Sequence, residues 1–305
     1  MTRSFPLTNY DLAATLDSGQ VFRWIPRGAA WEGVLGDHWF RLWQTAGQLH
    51  AEGATGSSPW ERLLHFLGTD EDLTAIRSSF PDDPPMRDAV AACPGLRLLR
   101  QDPWECLASF ILSSTKQIVQ IRQCVSLLCE RFGQPVAVPP GTAPVYSFPP
   151  ACRLAETEER QLRECKLGFR ARYLGATARR VVQGGPMLEE IAGLPTEAAR
   201  RELMELPGVG RKIADCVLLF AYGRQDAFPV DVWVQRALRQ LYFPNRRPSF
   251  RTLERFAATH FGPFAGYAQQ YLFHYVRTRL GRTAFPKASS RRRSPRPPSP
   301  PHEPH

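Results

Sequence analysis

The chain has 305 residues, of which 43% are hydrophobic, so it can bury a substantial core in one large domain or two. Its formal net charge of +10 and its pI near 9.6 favour an anionic partner such as nucleic acid. The sequence has no signal-peptide core, no apolar run long enough to span a membrane and no Cys-x-x-Cys pair, which argues against secretion, membrane insertion and a zinc or iron–sulfur site. We therefore expect an intracellular monomer without metal or other cofactor, in the cytoplasm or nucleoid, or in the nucleus if the host is a eukaryote.

The first 100 residues predict an antiparallel β/α region that begins with strands. Four short segments, QVFRW, WEGVL, HWFRLWQ and QLHAE, have strand-like patterns and are separated by turn signals. In the third segment Trp39, Arg41 and Trp43 share one face, and Phe40 and Leu42 share the other, as in a strand of an antiparallel meander. Helical patterns follow at residues 60–67 and 86–92.

From Gln101 onward the predicted structure is almost entirely helical. Asp102 is a favourable N-cap, Pro103 suits the first helical position, and Glu105 is placed to complete a capping box. Further helical patterns cover residues 117–131, 170–182, 196–205, 211–222, 231–242, 250–259 and 265–280. The predicted fold is thus α+β, with an antiparallel β/α domain at 1–100, a helical domain at 101–286 and a basic, proline-rich disordered tail at 287–305.

The stretch LPGVGRKIADC lies between two helical patterns and predicts a tight turn. Gly208 and Gly210 flank Val209, and such a turn needs positive φ angles and a close approach of the backbone. Val209 is predicted to fill the space between the two helices. The unpaired N–H groups at the start of the second helix then form a site for a phosphate, as in a helix–hairpin–helix that binds the DNA backbone. The turn alone also fits an ordinary helical corner.

Lys212 falls in the first turn of the second predicted helix, where positive charge is unfavourable. The helix dipole disfavours an ammonium there by about 0.3–1 kcal/mol, and an uncharged amine is a nucleophile. Further along the chain, Asp231 follows Pro229-Val230 and begins another helical pattern, as an N-cap does. Taken singly, the lysine could merely contact phosphate and the aspartate could merely cap its helix.

The order of hairpin, lysine and aspartate resembles the helix–hairpin–helix DNA glycosylases of base excision repair. Seven segments extend this resemblance to the eukaryotic-type 8-oxoguanine DNA glycosylase/AP lyase family: SGQVFRW, WEGVL, RQDPWECLASFILSS, LGFRARY, LPGVGRKIADC, PVDVW and GPFAGYAQQYLF. The resemblance implies an N-terminal antiparallel β-sheet domain followed by an all-α helix–hairpin–helix glycosylase domain. It also implies a bifunctional enzyme that acts on double-stranded DNA containing oxidised guanine, with Lys212 as the nucleophile that forms a Schiff base and Asp231 as the essential carboxylate.

Four positions match the residues that bind the extruded base in this family. Cys216 and Phe273 match the side chains on its two faces, and Gln269, one helical turn before Phe273, matches the amide that binds its edge. Gly19 matches the glycine whose carbonyl accepts the N7 hydrogen that 8-oxoguanine has and guanine lacks. One such hydrogen bond, made or left unmet, is worth about 1–3 kcal/mol. Without the other matches, Cys216 and Phe273 would be interpreted as core residues and Gln269 as a surface amide.

Positions that contact DNA in the family match only in part. Thr115 begins the segment TKQ, which replaces a run of asparagines, and Gln120 replaces the arginine that reads the cytosine opposite the lesion. Phe169 replaces a tyrosine wedge that enters the base stack, and Arg170 retains the arginine that follows it. Trp233 replaces a histidine that reaches a phosphate. The resemblance therefore implies DNA contacts at these residues but altered recognition of the opposite base.

Two other functions remain open at this point. A monofunctional glycosylase for another damaged base would use Asp231 with water and would not need Lys212. A non-catalytic hairpin module would bind DNA without needing Gln269 or Phe273. The sequence favours the bifunctional enzyme because all four residues occur in one chain.

Overall fold

The computed structural model describes residues 1–56, 58–184 and 188–280, so the predicted tail at 287–305 and the predicted domain end at 286 lie outside the described residues. Within this part of the chain the α+β prediction is confirmed, since an antiparallel sheet precedes a helical region. The strands of the main sheet are β1 (Thr2–Pro6), β2 (Ile25–Arg27), β3 (Ala30–Leu35), β4 (His38–Thr45) and β5 (Gln48–Gly53). A small ribbon consists of β6 (Pro135–Val136) and β7 (Val145–Tyr146).

The main sheet has the strand order β1-β5-β4-β3-β2, and all neighbouring strands are antiparallel. The predicted meander is confirmed for β3, β4 and β5. In β4 the alternation is also confirmed, because Phe40 and Leu42 are fully buried in the core beneath the sheet whereas Arg41 between them is exposed. The edge strand β1 is not predicted by the sequence and pairs with β5.

The predicted strand over the QVFRW segment is wrong, because these residues form an irregular loop. Their side chains are buried in two directions: Val21 and Trp24 pack beneath the sheet, and Phe22 packs in the helical core. The Gln20 amide donates to the Arg97 carbonyl at 2.8 Å, which holds the loop against a distant segment. Val21 and Trp24 are three residues apart yet pack on the same side, which the two-residue period of a strand does not allow.

Fifteen α-helices occur in the described residues, and every predicted helix is present with its ends within about two residues of the expected positions. The helices are α1 (Leu12–Asp17), α2 (Trp60–Phe66), α3 (Leu73–Ser78), α4 (Pro84–Ala92), α5 (Pro103–Leu112), α6 (Ile118–Phe132), α7 (Ala151–Ala155), α8 (Glu159–Leu162), α9 (Arg170–Val182), α10 (Leu188–Ile191), α11 (Thr196–Met204), α12 (Arg211–Phe220), α13 (Val232–Tyr242), α14 (Phe250–His260) and α15 (Ala265–Tyr275). A π-helical segment, Val276–Leu280, continues α15 to the predicted end. The sequence does not predict α1, α3, α7, α8 and α10, because helices of four to six residues are too short to show an apolar period.

The start of α5 shows how local signals set helix ends. The Asp102 carboxylate accepts the Glu105 N–H at 2.9 Å, and Pro103 occupies the first helical position, so the predicted N-cap is confirmed. The Glu105 side chain, predicted to complete a capping box, instead receives a hydrogen bond from Arg23 at 3.0 Å. A buried cation from the loop before β2 therefore takes the place of the local backbone partner.

Two hydrophobic cores organise the molecule. The smaller core lies beneath the main sheet and includes Leu16, Trp24 and Leu63. The larger core joins α3 and α4 to the helices from α5 to α15 and includes the fully buried rings of Tyr267 and Tyr271. In this larger core α5 packs directly against α12, which brings the hairpin helix against the first long helix of the helical region.

An ion pair inside the hairpin offers a test of what holds α11 against α12. Asp215 of α12 is 3% exposed and accepts a hydrogen bond from Arg200 of α11 at 2.6 Å. Removal of this buried carboxylate leaves the mostly buried Arg200 paired to the exposed Glu197, so we expect Asp215→Ala to lower the free energy of unfolding by about 3–5 kcal/mol in urea titrations. The control is Glu197→Ala, which removes the exposed partner of the same arginine and should change stability by less than about 1 kcal/mol. Equal effects of the two variants would contradict this interpretation.

Within the described residues, no helix has both the length and the hydropathy needed to cross a membrane. The same residues contain no group of three or more His, Cys, Asp or Glu side chains arranged to hold a metal ion.

Candidate active site

The predicted hairpin is present between α11 and α12. Its turn is closed by the Val209 N–H, which donates to the Leu206 carbonyl at 3.0 Å. Gly208 has φ +79°, and a Cβ at this position would lie 2.7 Å from the Tyr173 side chain, so glycine is required. Val209 is 6% exposed and packs in the helical core, as predicted. Gly210 is the N-cap of α12, and apart from its two chain neighbours no described residue has an atom within 4 Å of the position its Cβ would take, which leaves room for a phosphate at the helix start.

The side chain of Lys212 extends from the first turn of α12 to the C-terminal end of α5. Its Nζ donates a hydrogen bond to Ser113 Oγ at 2.9 Å. Nζ also lies 5.2 Å from the centroid of the Phe110 ring, within the range at which a ring face attracts positive charge. The amine is therefore held by two groups of α5, and the side chain is only half-buried.

Asp231 is the N-cap of α13, as predicted. Its Oδ1 accepts the Val234 N–H at 2.7 Å. This bond uses one oxygen of the carboxylate, and no hydrogen bond to the other oxygen occurs within the described part of the chain. Asp231 also lines the cavity that contains Lys212, so the carboxylate can contact a ligand in the cavity while it caps α13.

A cavity of about 410 Å³ brings the predicted residues together. This volume is in the usual range for small-molecule sites, about 300–1,000 Å³. The end of α5 and the starts of α6, α12 and α13 surround the cavity, together with α15. Its walls include all the residues predicted for catalysis and base binding: Gly19, Lys212, Cys216, Asp231, Gln269 and Phe273.

Three of these residues form apolar or backbone walls. Cys216 is 3% exposed, and burial raises the pKa of its thiol to about 12 although Lys212 acts in the opposite direction. The thiol is therefore neutral and presents a soft, apolar surface. Gly19 has φ +82°, and a Cβ there would lie 2.8 Å from Ile118 and 3.4 Å from the Phe273 ring. The positive φ and the close approach to Ile118 therefore require glycine at this position.

Gln269 has an unusual buried amide oxygen. The residue is 4% exposed, and its Oε1 has no hydrogen-bond partner within the described residues. Such an oxygen costs about 1–3 kcal/mol if it stays unpaired. The neighbouring Gln270, in contrast, donates to the Ser18 carbonyl at 3.0 Å. Gln269 is thus an acceptor in the cavity wall that a ligand with N–H groups can satisfy.

Phe169 and Arg170 lie together at the start of α9 but differ in exposure. Phe169 is 49% exposed, as a wedge must be, whereas Arg170 is only 6% exposed. The Arg170 guanidinium donates to the Ser114 carbonyl at 2.8 Å and to the Thr115 hydroxyl, and it lies 4.3 Å from the Phe169 ring. Arg170 therefore holds the loop after α5 in this structure, and Thr115, with φ +59°, is part of that loop.

Gln120 and Trp233 occupy the starts of two helices beside the cavity. Gln120 is exposed, and its Oε1 accepts the Gln117 N–H at 3.0 Å, which caps α6. Its NH₂ group and the second lone pair of Oε1 can still contact DNA. Trp233 lines the cavity, and the Arg236 guanidinium lies 6.0 Å from the centroid of its ring.

Some cavity residues have no role in the sequence-based prediction. Ser113 and Phe110 belong to the quoted segment RQDPWECLASFILSS, which was the signal that could have identified them. Asp17 accepts hydrogen bonds from Arg122 at 2.9 Å and Arg277 at 3.1 Å, and this ion cluster forms one edge of the cavity. These three residues come from α1, α6 and the π-helical segment after α15, so no local pattern in the sequence indicates their contact.

Family models match the chain in two consecutive parts. Residues 4–107 match the 8-oxoguanine DNA glycosylase N-terminal domain. Residues 108–262 match the HhH-GPD superfamily of base excision DNA repair proteins.

Known proteins and solved structures are similar to this protein over most of the chain. The Arabidopsis thaliana protein named N-glycosylase/DNA lyase OGG1 is 31% identical over 88% of this chain and 79% of its own length. The structure of MBOgg1 in complex with a low-affinity DNA ligand has a TM-score of 0.86 and 32% identity, covering 93% of this chain and 96% of that chain. The Clostridium acetobutylicum 8-oxoguanine glycosylase/lyase, in complex with DNA containing cytosine opposite 8-oxoG, has a TM-score of 0.84 and 30% identity, covering 91% of this chain and 97% of that chain. With the hairpin, the lysine and the cavity in their expected places, these matches show that the chain belongs to the 8-oxoguanine DNA glycosylase family of the HhH-GPD superfamily.

Proposed function

We propose that this protein excises 8-oxoguanine from duplex DNA and then cleaves the strand, with Lys212 as the nucleophile and Asp231 as the catalytic carboxylate. The protein is a DNA glycosylase with AP lyase activity, as its family membership indicates. One observation carries the assignment of residues: an amine, a carboxylate and an amide acceptor without a partner in the described residues line the same cavity, beside the start of the hairpin helix α12.

The DNA must be opened before the reaction, because a stacked base hides its glycosidic bond. The nucleotide is turned out of the duplex, which loses a few kcal/mol of stacking, and the exposed Phe169 ring is placed to fill the gap. The start of α12 at Gly210 holds the backbone through a phosphate. The cavity then receives the extruded base.

Base recognition uses the cavity walls. Cys216 and Phe273 contact the two faces of the base, and the unpaired Oε1 of Gln269 accepts from its N–H edge. The Gly19 carbonyl accepts the N7 hydrogen of 8-oxoguanine. Guanine has a lone pair at N7, so its entry would leave two acceptors facing each other without a proton.

The covalent steps begin with the lone pair of the uncharged Lys212 amine, which forms a bond to C1′ of the sugar. The bond between C1′ and N9 breaks, and its electron pair leaves with the base, which takes up the proton that the Lys212 nitrogen loses after its attack. The Asp231 carboxylate stabilises the positive charge that develops on the sugar in the transition state. Ring opening gives an iminium between Nζ and C1′. Loss of a proton from C2′ then expels the 3′ phosphate and cuts the strand.

Borohydride trapping on a duplex that contains 8-oxoguanine tests this proposal. Reduction of the iminium would attach the DNA irreversibly to Lys212, and peptide mapping would locate the bond. A monofunctional glycosylase that uses water would release the base without a trapped complex. A non-catalytic module would bind the duplex and release no base.

Recognition of the opposite base is expected to be relaxed, because Gln120 replaces an arginine. An exposed amide can form only neutral contacts and lacks the fork of a guanidinium, and every base offers acceptors to its NH₂ group. We predict that excision rates with cytosine, thymine, guanine or adenine opposite the lesion agree to within about tenfold to a hundredfold, equivalent to about 1.4–2.7 kcal/mol.

The arginine variant provides the decisive comparison. Gln120→Arg should raise the preference for cytosine by about tenfold or more, since a guanidinium can fork onto the acceptors of cytosine. Gln117→Arg adds the same charge one turn away and should leave the preference unchanged. The interpretation of Gln120 is wrong if the wild-type protein already prefers cytosine by about a thousandfold.

A further inference from the structure

We infer that Ser113 is a positioning residue that aims the lone pair of Lys212 at the sugar, an inference that rests on the proposed role of Lys212 as nucleophile. Ser113 is the C-cap of α5. Its hydroxyl makes two hydrogen bonds: it donates to the Phe110 carbonyl at 2.7 Å and accepts from Lys212 Nζ at 2.9 Å. No role in catalysis follows from the family resemblance or from the sequence pattern for this serine.

The direction of both hydrogen bonds follows from the chemistry of the partners. A carbonyl oxygen can only accept, and a serine hydroxyl has one proton, so that proton is committed to Phe110. Toward Lys212 the hydroxyl is therefore an acceptor. It can bind an N–H group of the charged or uncharged amine, but it cannot donate to the lone pair.

This arrangement controls where the lone pair points. An uncharged amine has two N–H bonds and one lone pair, and one N–H is directed at Ser113 Oγ. The face of the Phe110 ring, 5.2 Å from Nζ, also favours the positive end of an N–H bond. Both partners lie at α5, so both N–H bonds point toward that helix. The lone pair therefore points away from α5, into the part of the cavity where the proposed reaction places the sugar.

The acceptor is itself held in place. The Ser113 N–H donates to the Phe110 carbonyl at 3.1 Å, and Arg170 donates to the Ser114 carbonyl at 2.8 Å. A rigid acceptor reduces the number of conformations that the long lysine side chain samples before it reacts. Loss of one hydrogen bond of this kind is expected to slow attack by about tenfold.

A preformed abasic duplex isolates this effect, because it has an aldehyde for the amine to attack and no base to bind. Single-turnover borohydride trapping is measured as a function of DNA concentration. We expect Ser113→Ala to reduce the maximal trapping rate about tenfold, with an unchanged half-saturating DNA concentration and an unchanged melting temperature. Ser113→Thr keeps the γ-hydroxyl and should recover most of the rate.

The matched control is Ser114→Ala, which removes a hydroxyl without a hydrogen bond in the described part of the chain and retains the carbonyl that Arg170 binds. It should trap DNA at the wild-type rate. Equal trapping by wild type and Ser113→Ala, equal slowing by the two alanine variants, or no recovery by Ser113→Thr would each overturn the inference. No trapping by the wild-type protein would overturn the proposed function, and this inference with it.

Discussion

Lys212→Gln should bind a duplex containing 8-oxoguanine but give no borohydride-trapped complex and no strand cleavage. The glutamine amide is not a nucleophile, yet its NH₂ group can still donate to Ser113 Oγ, which the lysine Nζ contacts at 2.9 Å. The fold and the base-binding walls of the cavity should therefore be retained. Gel-shift titration and denaturing gels after borohydride treatment measure the two properties separately.

A second lysine in the same cavity provides a strict control. Lys116 also lines the cavity, at the mouth formed by the loop after α5. Lys116→Gln removes the same charge but should leave the trapped yield within about tenfold of wild type. If Lys212→Gln still forms a trapped complex that disappears only when Lys116 is also replaced, then Lys116 is the nucleophile and our assignment of Lys212 is wrong.

Asp231→Asn should lower the single-turnover rate of base excision by about a thousandfold or more, which corresponds to about 4 kcal/mol. Asparagine can still accept the Val234 N–H that Asp231 accepts at 2.7 Å, so the α13 cap should persist. The asparagine side chain, however, has no negative charge that could stabilise the positive charge developing on the sugar. We expect the melting temperature to change by less than about 3 °C.

The same substitution at another helix cap separates catalysis from capping. Asp72 is the N-cap of α3 and accepts the N–H groups of Thr74 and Ala75 at 2.9 and 3.0 Å, outside the cavity. Asp72→Asn should leave excision at the wild-type rate. If Asp231→Asn lost stability in proportion to its rate, the cap alone would explain the residue.

Much of the fold could be predicted because its signals are local. Asp102 and Asp231 cap the helices that follow them, and Gly208 takes the positive φ angle that the hairpin needs. Each of these features depends on residues within one or two turns. The segment QVFRW shows the limit, since its β-rich composition predicts a strand but its side chains are divided between two cores.

The environment of the candidate site depends on contacts between distant parts of the chain. Arg170 is expected to face DNA, yet the structure places its guanidinium on the loop after α5, 56 residues earlier. Without the family matches Gln269 would be interpreted as a surface amide, yet packing of α15 buries it with an oxygen that has no partner in the described residues. Neither outcome has a periodic or capping signal, because each partner lies in another element.

The family could be identified from the sequence through its seven matching segments. The hairpin and the helices that carry Lys212 and Asp231 could also be predicted, because caps, glycines and apolar periods act between near neighbours. The contacts of Lys212, in contrast, depend on how the helices pack. Ser113 and Lys212 are 99 residues apart in sequence, and they meet because α5 packs against α12 in the helical core. A hydrogen bond across such a separation is set by the packing of whole helices, which no short segment of the sequence specifies.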